Sequence, residues 1–186
     1  MQLVVPFLLS FLLISTLVEG QDFRGLDQSS LDIAYFPDNF AHDRKPGEEA
    51  IIRVTYSRPQ VKGRAMFGEK VPYGEVWRTG ANEATEVKFY QAVTIDGKAL
   101  PAGTYSLFTI PNKDAWIVIF SSDLDYWGAY SYQQENDVLR ATAPARTLDE
   151  TVEAFTIQFA ENNEGEAVMQ FAWEQTLAEL PISVAN

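Results

Sequence analysis

Short runs of alternating apolar and polar residues follow one another along the chain from Ala50 onward. In Ala50–Ser57, Ile52, Val54 and Tyr56 fall on one face, and Ile51, Arg53 and Thr55 on the other. This period of two is the mark of a strand. Comparable runs occupy Thr85–Gln91, Thr104–Ile110, Ala115–Phe120, Val138–Ala143, Val152–Phe159, Ala167–Trp173 and Leu177–Val184, and Pro181 places the last at a sheet edge. Val93–Ile95 and Lys98–Leu100 flank Asp96-Gly97, two residues that tolerate positive φ and so close a tight hairpin. No segment of ten or more residues keeps a helical period. The spacing predicts an all-β domain, an antiparallel β-sandwich (jelly-roll-like) of about eight or nine strands. Ile51, Phe108, Ile117 and Ile119 sit opposite apolar residues within their strands, which favours two packed sheets, with several strands covered on both faces, over a closed barrel.

The two ends depart from this pattern. Leu3–Val18 is almost unbroken apolar and the segment ends Val18-Glu19-Gly20, the form of a secretory signal peptide, residues 1–20, cleaved after Gly20. The start carries no Lys or Arg, but the apolar run is shorter than the roughly 20 residues a spanning helix needs. Residues 21–49 are broken by Pro37, Pro46 and Gly47 and read as an irregular N-terminal extension. Its Leu31, Ile33, Tyr35 and Phe36 are apolar enough to dock it on the domain. Residues 50–186 then form one sandwich domain, ample for a single core.

Charge and composition narrow the compartment and partners. The 186-residue chain has 14 Lys and Arg against 26 Asp and Glu, a formal charge of −12. Removing residues 1–20 takes away only Glu19 and leaves −11. Such acidity argues against nucleic acid and, after processing, against anionic membranes. Cysteine is absent, so thiol catalysis, thiolate metal sites and a cysteine-linked lipid anchor are excluded. An exported protein, periplasmic or extracellular, without cofactor or metal is expected.

One stretch does not alternate and is too polar for core: Val71–Thr85, VPYGEVWRTGANEAT. Arg78 offers a planar fork of donors, Asn82 a donor and an acceptor, Glu83 two acceptor oxygens, and Thr79 and Thr85 hydroxyls. Tyr73 and Trp77 add flat faces with polar tips, and Gly74 and Gly80 permit tight turns. These types suit a site for a small polar ligand or a glycan. They also suit an internal network in which Arg78 pairs with Glu83 or Glu75. Ser57, Arg58, Lys62 and Arg64 form a nearby basic cluster able to meet an anionic group. Tyr126, Trp127, Tyr130 and Tyr132 crowd the long connection Ser121–Asp137, either to stack on sugar or to cap the sandwich. A carboxylate-dependent hydrolase of glycoside type, using Glu83 with Glu75 or Glu86, is the alternative, and a non-catalytic envelope interaction domain is another. His42 beside Asp43 and Asp38 reads as a tie between extension and sheet rather than a metal ligand or base. Asp123-x-Asp125 lacks the rest of a calcium-loop pattern.

SRPQVKGR, VPYGEVWRTGANEAT, DGKALPAGTYSLFTIP and DYWGAYSY together resemble a family of exported bacterial β-domain proteins of unknown function marked by VPYG-x-VWRTGANEAT. The similarity runs from about Asp27 through the last strand. It implies export and a single β-rich domain, and it assigns no activity.

Overall fold

Among residues 23–184, which the computed structural model of the chain describes, nine strands are formed. They are β1 (Ser30–Phe36), β2 (Ile52–Arg58), β3 (Thr85–Phe89), β4 (Val93–Ile95), β5 (Lys98–Leu100), β6 (Gly103–Ile110), β7 (Ala115–Ser121), β8 (Asp137–Glu161) and β9 (Ala167–Val184). Their spatial order is β1-β2-β3-β6-β7-β8-β9-β4-β5, antiparallel throughout. The expected signal peptide lies outside the described residues. Among the described residues no helix is long and apolar enough to cross a membrane.

Two long strands turn this order into a sandwich. The first part of β8, Asp137–Pro144, pairs with β7, and the rest pairs with β9. The β8–β9 register shifts between Thr147 and Val152 and again before Thr156, and such irregularities bend a strand. Glu174, at φ 51°, lies in β9 directly opposite Val152. The sequence pattern predicts two separate strands on each of these segments. The polar run Thr147–Thr151 between the expected strands keeps an extended backbone through the bend. β9 is not the edge strand that Pro181 suggests, since it lies between β8 and β4. The proline is tolerated because it falls where the β8 ladder has ended at Ala178 and the β4 ladder has not begun at Ser183, so its missing N–H costs no ladder bond.

Alternation places the core. Ile52, Val54 and Tyr56 of β2, Tyr105 and Leu107 of β6, and Trp116, Val118 and Phe120 of β7 face Phe155, Ile157, Met169, Phe171 and Trp173 of β8 and β9. Asp96 and Gly97 take φ of 52° and 70°, as the two-residue hairpin between β4 and β5 requires. Within the N-terminal extension, Ser30–Phe36 is a regular strand paired along its length with β2. Leu31 and Ile33 remain exposed on its open side, so burial imposes little alternation there. His42 sits in the helical turn Phe40–Asp43 with its side chain 89% exposed and its ring Nδ1 2.7 Å from Asp43 Oδ1. It does not tie the extension to the sheet, because the β1–β2 ladder does so through the backbone.

The free edge of β8 near Phe155–Ile157 is covered by side chains and a short backbone seam from the end of β2. The Tyr56 hydroxyl donates to the Ile157 carbonyl and accepts from the Ile157 N–H, both at 3.0 Å. Arg58 donates through Nε to the Phe155 carbonyl at 3.0 Å and through Nη2 to Thr156 Oγ1 at 2.8 Å, while its Nη1 meets Asp32 at 2.9 Å. Beyond Arg58, the Phe155 N–H donates to the Pro59 carbonyl and the Val61 N–H to the Glu153 carbonyl. Tyr56→Phe keeps the ring but leaves both Ile157 backbone groups without a partner. It should lower unfolding free energy by roughly 1–3 kcal/mol, read as an earlier urea midpoint at unchanged m-value. An unaltered midpoint would show that the hydroxyl is not needed at this edge.

Candidate functional site

The Val71–Thr85 stretch is held by backbone bonds at both ends. The Val71 N–H donates to the Met66 carbonyl at 2.8 Å, and Trp77 exchanges two backbone bonds with Thr109 at 2.7 and 2.9 Å. The chain then loops, and the Thr85 N–H returns to the Arg78 carbonyl at 3.1 Å. Thr79 is fully buried at φ 58°, a left-handed conformation that is costly for a β-branched residue. Side-chain contacts hold it there: Thr85 Oγ1 donates to its carbonyl at 2.6 Å, and its own hydroxyl meets Thr109 Oγ1 at 3.1 Å and the Trp77 carbonyl at 3.4 Å. Gly80 follows with its α-carbon pressed on the β2 end, where an added Cβ would lie 2.9 Å from the Ser57 carbonyl oxygen.

This loop walls a cavity of about 490 Å³. Val71, Trp77, Arg78, Gly80 and Ala81 come from the stretch itself, and Pro59, Gln60, Lys62, Arg64, Met66 and Lys70 from the connection before it. Trp173 of β9 and Gln28 and Ser29 of the extension complete it. Trp77 keeps 8% of its surface exposed and stacks on Trp173 with ring centres 5.8 Å apart and planes 8° apart. It packs edge-on to Phe67, Trp116 and Phe155 as well, so this wall of the cavity is rigid aromatic core. Arg64 is fixed by its own connection, donating to the Val61 carbonyl at 3.0 Å and the Gln60 carbonyl at 2.5 Å.

The other expected site residues are dispersed. Arg78 pairs with neither Glu83 nor Glu75. Its Nη1 donates to the Asn82 carbonyl at 3.2 Å, and its guanidinium lies 6.0 Å from the centre of the Tyr130 ring. Both glutamates are exposed, so water and not the arginine solvates them. Arg58 belongs to the seam on β8 and Thr79 to the loop interior. Lys62 lines the cavity and reaches Gln28 Oε1 at 3.4 Å. Tyr73 lies apart, its ring over Gly68 and beside Lys113 and Asp114. Glu83 and Glu86 line a second cavity of about 300 Å³ with Asp125, Tyr126 and Leu31, and Glu75 is not in it. Asn82, Glu83 and Trp127 share a groove with Asp27, and Trp127 is 60% exposed. The Ser29 N–H and then the Asn82 side chain hold the Asp27 carboxyl below its ordinary pKa. Lys70, Met66 and Trp173 were not legible as site residues, because nothing local marks a lysine in a glycine-punctuated connection or a tryptophan in a strand.

The aromatic connection covers a sheet face. Tyr126 and Tyr132 pack edge-on against Phe108, which faces away from the main core on β6. Two backbone bonds tie this connection to the loop: Ala84 N–H to the Tyr126 carbonyl and Gly128 N–H to the Asn82 carbonyl, each 2.9 Å. The Tyr132 hydroxyl donates to Asp137 at 2.7 Å and accepts from Arg140 at 2.6 Å. Burial, with the Asp137 hydrogen bond next, pushes the Tyr132 hydroxyl up to about 12.

The sequence model of the family described as "Protein of unknown function (DUF2911)" matches residues 39–182. No curated protein and no solved structure matches the chain.

Two outcomes are expected from this geometry. Gly80→Ala forces its Cβ against the Ser57 backbone and should destabilise the fold by roughly 1–3 kcal/mol; full stability by chemical denaturation would mean that the loop yields freely. Tyr132 has a folded pKa above its unfolded value near 10, so its stabilisation is complete below about pH 10 and is lost as pH rises through about 12. The stability gap between wild type and Tyr132→Phe should therefore narrow across that window. A gap constant with pH would separate the hydroxyl's titration from stability.

Proposed function

We propose, for a chain that belongs to the DUF2911 family of unknown function, that it is an exported binding protein for a small polar ligand, held in the cavity beside the Val71–Thr85 stretch. One observation carries this reading: five residues of that stretch converge on a single cavity with a rigid tryptophan wall. About 490 Å³ is in the range of small-molecule sites, which are concave, partly apolar and furnished with a few polar groups. Arg78 supports it further. Its guanidinium makes one hydrogen bond and, among the described residues, no ion pair, which leaves donors open.

A hydrolase acting through carboxylates has a narrower basis. Glu83 and Glu86 share the second cavity with Asp125, which gives paired acids a common space. Glu83 is exposed and Glu86 only half-buried, whereas carboxylate pairs in glycoside chemistry rely on one member being shielded from water. Binding at the first cavity is therefore the reading adopted.

The test is a thermal-shift screen of the mature protein against sugars, amino acids and organic acids, repeated with Arg78→Ala and Ala81→Phe. A true ligand raises the wild-type melting temperature, and the rise grows with the logarithm of its concentration once that exceeds the dissociation constant. Ala81→Phe should abolish that shift by filling the cavity. Arg78→Ala, losing one hydrogen bond to a carbonyl, should cost the fold only about 1 kcal/mol and weaken binding by roughly 1.5–3 kcal/mol. A shift that survives Ala81→Phe would move the ligand elsewhere. A wild type that answers to nothing in the screen would defeat the binding reading.

A further inference from the structure

We infer that the ligand of this cavity is an organic anion, its charged group met by Lys62, Arg64 and Lys70 and its body laid on Trp77 and Met66. The inference rests on the cavity being a ligand site and adds the chemical class. Its basis is a charge segregation that runs against the composition. The chain holds 26 Asp and Glu to 14 Lys and Arg, so an indifferent lining would carry more acids than bases. The lining instead carries four cations and no carboxylate.

These charges are not neutralised by neighbours. The ion pairs among the described residues are His42–Asp43, Lys45–Glu48, Arg58–Asp32, Arg140–Asp137 and Arg146–Glu179, none of which includes a cavity cation. Two carboxylates come close outside the lining, and both are engaged with backbone. Glu153 accepts from the Lys62 N–H and Glu174 from the Phe67 N–H, each at 2.9 Å. Arg78 lines the space but turns its guanidinium toward Asn82 and Tyr130, so the charges facing it are Lys62, Arg64 and Lys70. These repel one another, and an anion placed among them removes that repulsion while its own charge is solvated by donors.

Hydrogen-bonding chemistry points the same way. A neutral sugar presents hydroxyl donors and needs acceptors, which Asp and Glu supply best. Lys and Arg side chains only donate. A cavity rich in donors and free of carboxylates suits a ligand that only accepts: a carboxylate, sulfate or phosphate group. The apolar remainder (Val71, Met66, Trp77 and Trp173) calls for an organic body rather than a bare inorganic ion. The second cavity, with Glu83, Glu86 and Asp125 and no Lys or Arg in its lining, would repel the same ligand.

The experiment is calorimetric titration of the mature protein with matched probes at millimolar concentration: glucuronate against glucose, indole-3-acetate against indole-3-ethanol, and inorganic sulfate. An acid of the panel should bind at least about tenfold more tightly than its neutral partner, and more weakly as salt rises. The Lys62→Gln/Lys70→Gln double variant, whose side chains are exposed and whose folding is checked by its urea midpoint, should weaken it by about ten- to a hundredfold. Lys113→Gln, outside the cavity, should leave it unchanged. Acid and neutral probes binding alike would overturn the anion assignment while leaving the ligand site standing. Acid binding indifferent to Lys62→Gln/Lys70→Gln would overturn the assignment to this cavity. Sulfate competing as well as the organic acids would remove the role of the tryptophan wall. No binding by any probe would overturn both this inference and the site reading it depends on.

Discussion

The fold depends on an unpaired backbone edge. β8 serves both layers of the sandwich, and past its bend the groups of Phe155 and Ile157 that face away from β9 have no full neighbouring strand. Buried amides without partners would cost roughly 1–3 kcal/mol each. The end of β2 supplies the partners: a tyrosine hydroxyl that serves one residue's donor and acceptor together, an arginine fork, and two backbone bonds from Pro59 and Val61. This seam holds the layers together without closing the sheet into a full barrel.

The cavity is a consequence of where that seam stops. After Val61 the chain leaves β8 and winds through residues 62–70 before Trp77 re-enters the sheet beside Thr109. The space between that connection, the loop Arg78–Ala81 and the Trp77–Trp173 stack is not filled by side chains. One wall is therefore close-packed aromatic core, and the opposite one is a glycine-punctuated connection bearing Lys62, Arg64 and Lys70. A rigid apolar wall facing a charged one is a workable geometry for binding, since little conformational entropy is lost on the aromatic side.

Sequence and structure agree where the physics is local. Alternation along β2, β6 and β7 reports which side chains face inward, because a strand's side chains repeat every two residues whatever it pairs with. The Asp96-Gly97 turn is equally local, a matter of two residues that accept positive φ. Of the residues that suggest double covering, Phe108 and Ile119 are fully buried, the former under Tyr126 and Tyr132, whereas Ile51 and Ile117 are only half-buried.

What the sequence by itself determined was therefore the all-β class, the faces of the strands and the singular character of Val71–Thr85. The tertiary structure alone decided how that stretch is divided: Trp77 into the core, Thr79 into the loop interior, Arg78 toward Asn82 and Tyr130, Glu83 into a separate acidic cavity. It also decided that Lys70 and Trp173, about a hundred residues apart in the chain, share one space. A two-residue period states which face a side chain takes but carries nothing about which distant segment that face will meet. The register of β8 on β9 and of β2 on β8 supplies that second half, and it is set by bulges and long-range bonds that no local pattern encodes.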